Sequence, residues 1–196
     1  MRRSRTPAGP HILNAIPRRD RTDAEARGAS GEERPLENTA GRLWKRVGRE
    51  DRLKAAQHFW REPPQDLLGT ALSALVKARH LRPQVARSLP PEEQARTLAA
   101  LADPGEPLAA ALLVSLHLGE RRGLLTTFLD ALGLPHENGL LKDEDTGAPP
   151  GDDAARTAVR ALLAAHPREH VETYLNTLWL QDPERWHALE KSADWL

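Results

Sequence analysis

From Asn38 onward the sequence is a succession of helix-period runs separated by prolines, and this pairing of period and punctuation restricts the fold more than any other feature. Apolar residues that recur every three or four positions lie on one face of an α-helix. Proline lacks a backbone N–H, so it marks where one helix stops or the next begins. Leu43, Trp44 and Val47 form one stripe; Leu53, Ala56 and Trp60 form the next, closed by "EPP" at 62–64. Leu68, Ala71, Leu72, Leu75 and Val76 share a third face, and Pro83 introduces a short segment carrying Val85. "PPEEQARTLAALADP" puts prolines at a helix start and acids in its first turn, where the helix dipole favours them, with Leu98 and Leu101 facing in.

"EPLAAALLVSLHLGE" is apolar nearly all round and predicts the central buried helix. "RRGLLTTFLDALG" is its amphipathic neighbour, with Leu124, Leu125, Phe128, Leu129 and Leu132 inward. Past a polar loop at 142–153 the spacing predicts helices over about 153–165, 168–181 and 183–192. The last has Asp182 as N-cap and Pro183 at its first position. β-branched and aromatic residues are sparse, and no run carries a strand signal. The expected fold is therefore all-α, an irregular compact bundle of about eight short helices. A short α-solenoid is the alternative architecture, and no fixed repeat period supports it.

Residues 1–37 read differently. They mix Arg, Pro, Gly, Ser and Glu around one apolar patch at Ile12–Ile16, the composition of a disordered arm ahead of a single helical domain spanning 38–196. Charge within the arm is segregated. Six arginines and one acid up to Arg21 give +5, whereas five acids and two arginines from Thr22 to Glu37 give −3.

Across the whole chain 28 basic residues balance 28 acidic ones, so any electrostatic partner must read a local patch. The absence of cysteine excludes a disulfide framework, a thiolate nucleophile and a Cys-based zinc site. The most apolar run, Leu108–Leu118, is well short of the ~18–20 residues of a spanning helix. The start has arginines but no apolar h-region behind them. The expectation is a cytoplasmic protein with no membrane partner.

Few motifs carry chemistry. "HPREH", His166 to His170, matches H-x-x-E-H, in which two histidines one helical turn apart bind zinc beside a glutamate base. Pro167 argues against it, because the residue before proline is pushed away from helical angles and the two histidines then leave one helix. "KDED…GDD" fails the EF-hand pattern at its sixth and twelfth positions, and reads as a solvated loop whose last acids cap the next helix. His117 reads as a core-edge histidine bonded to a carbonyl. No G-x-S-x-G, P-loop or G-x-G-x-x-G is present. No cofactor and no metal are expected.

In "FLDALGLPHENGLL" a helix ends. Gly133 suits a left-handed C′ position, Leu134 the hydrophobic contact that follows, Pro135 the stop, and Asn138-Gly139 a turn with positive φ. His136 and Glu137 are tolerated by that turn without being demanded by it, which makes them a candidate contact point. Four of the five tryptophans, at 44, 60, 179 and 186, fall at core-compatible positions, while Trp195 is either docked or a terminal anchor. The candidate partner-binding residues are thus Arg2, Arg3, Arg5, His136, Glu137 and Trp195. The expected function is non-enzymatic protein–protein interaction, as an adaptor or regulatory subunit. The alternative is nucleic-acid association through the Arg-rich arm.

Overall fold

A computed structural model describes residues 39–141 and 148–196. The expectations for the arm, including Arg2, Arg3 and Arg5, and for most of the "KDED" loop fall outside these residues. Thr39 opens α1 (Ala40–Arg46) by accepting the Arg42 N–H on its hydroxyl at 3.3 Å. Glu106 supplies the remaining acceptors. Its carboxylate takes the N–H of Ala40 at 2.8 Å and of Gly41 at 3.2 Å, so one side chain serves its own helix start and that of α1.

Prolines sit at helix starts, as their chemistry requires. Pro64 caps α3 (Gln65–Arg79), Pro83 begins α4 (Pro83–Ser88), and Pro90-Pro91 begin α5 (Pro91–Ala100). Pro167 caps α9 (Arg168–Gln181). The remaining helices are α2 (Arg49–Arg61), α6 (Glu106–Glu120), α7 (Arg122–Ala131) and α8 (Asp152–Ala165). The described residues thus form an all-α fold.

Two apolar cores are built from these helices. The first gathers Trp44, Phe59, Leu75, Leu98 and the Leu108–Leu116 stretch of α6. Trp44 is wholly buried, and its indole N–H is satisfied by the Leu101 carbonyl at 2.9 Å. The second gathers Leu124, Phe128, Leu162, Tyr174, Leu175, Trp186 and Leu189. Phe128 stands edge-on to Tyr174 at 5.6 Å between centroids and at the same distance from Trp186. The near-uniformly apolar α6 joins the two: most of it lies in the first core, while Leu118 packs on the second and Leu180 of α9 packs back on the first.

Three local expectations are corrected. A minimal antiparallel ladder, β1 (His136–Glu137) with β2 (Leu140–Leu141), forms where no strand was expected. Its two-residue turn, Asn138 at φ 52° and Gly139 at φ 81°, has the positive φ pair of a tight hairpin turn. The final helix is not α: after one turn the chain winds as a 3-10 helix, His187–Asp194. The α3 stripe is only partly inside. Ala71 and Leu75 are fully buried, Leu72 and Val76 are half-buried, and Leu68 is exposed.

Candidate functional site

Two regions combine charge with an unusual environment. One is the polar joint between the cores, at the α6–α7 junction. The Thr177 hydroxyl donates to the Thr173 carbonyl at 2.7 Å, so it accepts from His117 Nε2–H at 3.3 Å. That fixes the tautomer and leaves His117 Nδ1 as a buried acceptor without a partner among the described residues. Burial, then the Arg121 charge, then His170, push this imidazole down to about 3, so it is neutral. One turn on, Arg121 Nη2 donates to Asp51 Oδ2 at 2.6 Å while its Nη1 is buried and unpaired among the same residues.

Glycines let two further histidines approach. A Cβ on Gly119 would lie 2.7 Å from His58 Cδ2, and one on Gly123 would lie 3.3 Å from His166 Cε1. His166 pairs with Thr127 at 3.2 Å. His58 and His170 are both held below the ordinary histidine range, mainly by burial. The joint therefore links α2, α6, α7, α8 and α9 through side-chain contacts that fix how the cores meet. His117 is sealed from solvent, so this imidazole offers no reacting group to a substrate. His166 is extended at φ −137° and ψ 154° before Pro167, and His170 lies in the first turn of α9, so "HPREH" spans two elements. Among the described residues no cluster of three or more histidines and acids is placed to hold a metal ion.

The other region is the corner formed by α3 and α4. Between Leu67 and Pro91 the chain has no acid and carries Lys77, Arg79, Arg82 and Arg87, all exposed. Leu68 at 37 % and Val85 at 43 % are the large apolar side chains left exposed among the described residues. Arg79 pairs with Glu93 of α5 at 3.3 Å, a surface bridge open to solvent on both sides. Beside it runs a groove of about 670 Å³ between α3 and α5, lined by the small Ala78 and Ala100 and by the charged Arg79, Glu93 and Arg96. Leu101 also lines it.

The residues singled out from sequence lie elsewhere. His136 is clamped within its hairpin. Its Nδ1 accepts the Gly139 N–H at 3.2 Å, so Nε2–H donates to Asp130 Oδ1 at 3.0 Å. Glu137 beside it is exposed. Trp195 is half-buried on the second core, with the Arg156 guanidinium 5.5 Å from its ring. The hairpin is held to Asp130 of α7, whereas Trp195 stands against Arg156 of α8. Sequence reasoning passed over the α3–α4 corner because it counted Leu68 as core. The missed signal was the 25-residue acid-free stretch itself.

No protein-family model, no curated protein and no solved structure matches the chain. Among the described residues no helix is long and apolar enough to cross a membrane.

Proposed function

We propose that the chain is a non-enzymatic interaction module, an adaptor or regulatory subunit, whose α3–α4 corner binds an acidic amphipathic helix of another protein. The observation that supports this reading is that the acid-free stretch 67–91 carries both exposed large apolar side chains, Leu68 near the start of α3 and Val85 on α4, together with four exposed cations. Apolar anchors supply the buried contact of a helix laid on a surface, and an excess of cations around them steers and orients an oppositely charged partner. Four cations beside apolar anchors suit a protein better than a duplex, whose affinity comes mostly from phosphate contacts.

The test uses a synthetic amphipathic peptide with glutamates flanking a leucine stripe at i, i+4 spacing. Binding to the full chain, read by fluorescence anisotropy, is expected to be lost in Arg82→Glu/Arg87→Glu and weakened in Leu68→Ser. A peptide with lysines in place of the glutamates is expected not to bind. Binding that survives the double reversal would place the surface elsewhere. A chain that binds duplex DNA and ignores the peptide would favour the nucleic-acid reading instead.

A further inference from the structure

We infer that Asn138 is a self-modification site, where the backbone nitrogen of Gly139 attacks the Asn138 side-chain amide with His136 as general base. The product is a succinimide, which water opens to aspartate or isoaspartate. This goes beyond the α3–α4 corner and does not depend on it. The first ground is the order of three groups at the hairpin. Asp130 Oδ1 accepts from His136 Nε2–H at 3.0 Å, and His136 Nδ1 accepts the Gly139 N–H at 3.2 Å. The same relay of acid, imidazole and nucleophile serves hydrolytic sites, with a backbone N–H here in place of a hydroxyl. The carboxylate holds the tautomer, so the basic nitrogen is aimed at the proton that must leave. The turn demands no histidine at 136, whereas the relay does.

The second ground is the electrophile. The Asn138 side-chain carbonyl carbon and the Gly139 nitrogen belong to adjoining residues, so ring closure needs only rotations within Asn138. Gly139 has no Cβ to shield its nitrogen. Asn138 is exposed, so ammonia can leave and water can reach the ring. The turn itself opposes closure. Asn138 at φ 52° and Gly139 at φ 81° fit the hairpin, and closing the ring swings their shared peptide away from it. The ladder that resists has only two residues on each strand, and so small a hairpin opens locally at little cost.

The step runs as follows. His136 Nδ1 takes the Gly139 amide proton, and Asp130 faces the imidazolium that forms. The Gly139 nitrogen bonds to the Asn138 side-chain carbonyl carbon. The imidazolium returns its proton to Asn138 Nδ2, which leaves as ammonia with the electron pair of the broken carbon–nitrogen bond. Water then adds to one imide carbonyl. Opening at the side-chain carbon gives aspartate, and opening at the backbone carbon gives isoaspartate. Either product puts a new carboxylate beside exposed Glu137. Isoaspartate also lengthens the main chain by a methylene where Gly139 is already tight against Leu125, so it lifts the hairpin off α7.

The test incubates the full chain at neutral pH, folded or in urea, and reads conversion at Asn138 by peptide-map mass spectrometry. The folded chain is expected to convert about tenfold faster than the chain in urea, where the relay is dispersed. His136→Gln is expected to lower the folded rate about tenfold and to leave the rate in urea unchanged. Asp130→Ala removes a side chain that is 73 % exposed, and is expected to slow the folded chain too. A folded rate below the rate in urea means that the turn protects Asn138, and overturns the inference. Equal folded rates in His136→Gln and the unaltered chain overturn it as well. If His136→Gln loses the amide signals of the hairpin, Asp130→Ala decides, and a rate equal to that of the unaltered chain overturns the relay.

Discussion

At the scale of single residues the fold depends on places where a side chain would not fit. Gly139 has φ 81° and is buried, and a Cβ there would stand 2.6 Å from Leu125 Cβ. Left-handed strain and overpacking act together, so Gly139→Ala is expected to cost about 2–4 kcal/mol in urea unfolding. Gly119 differs, because its obstacle is the His58 ring. Gly119→Ala is expected to cost about 1–3 kcal/mol in the native background and much less when His58 is also alanine, as a double-mutant cycle would read.

His117 makes stability depend on pH. Its unfolded imidazole takes a proton near pH 6.5, whereas the folded one stays neutral down to about 3. Its contribution is complete above the unfolded value and is lost as pH falls from there towards 3, amounting to about 2 kcal/mol by pH 5. His58 and His170 are depressed too and act in the same direction. The expected result is a urea midpoint that falls between pH 7 and pH 5, and falls less in His117→Gln. Equal slopes in the two proteins would mean that His117 is not held neutral.

At the scale of elements, the sequence was most legible where a chemical signal is local. The end of α7 was readable residue by residue. Gly133 at φ 68° donates to Asp130 O, and Leu134 N–H reaches back to Leu129 O, closing the helix as the sequence implied. The expected cap at Asp182 also forms, its Oδ1 accepting the Arg185 N–H at 3.0 Å, yet the α-helix does not follow. Trp186, Leu189, Ser192 and Trp195 are spaced by three and turn towards the second core, a period that suits a 3-10 helix. Leu68 illustrates the opposite limit. Its period placed it on the α3 stripe, but period says which residues share a face and not how much of that face is covered. The six-residue α4 spans about 9 Å against about 22 Å for α3 and folds back from its far end, leaving Leu68 near the start of α3 in solvent. That element is where function is proposed. Leu68→Ser and Arg82→Glu/Arg87→Glu are therefore expected to leave the unfolding free energy within about 0.5 kcal/mol of the native chain, while the first weakens peptide binding and the second removes it.

At the scale of the molecule, two apolar cores meet across one polar joint, and the charged surface is patterned although the chain as a whole is neutral. The joint was invisible in the sequence because Asp51, His117, Arg121, His166 and Thr177 are brought together only by packing of distant helices. Several of their polar atoms are satisfied across the cores rather than by neighbours. Its buried groups serve the placement of α2, α6 and α9, and the proposed recognition lies on the first core's outer helices instead. The most direct check follows backbone amide shifts of the full chain as the leucine–glutamate peptide is added. Shifts confined to residues 65–101, with saturation lost in Arg82→Glu/Arg87→Glu, are what the α3–α4 account requires. Shifts that gather instead around Arg121 and His170, or around His136 and Trp195, would contradict it.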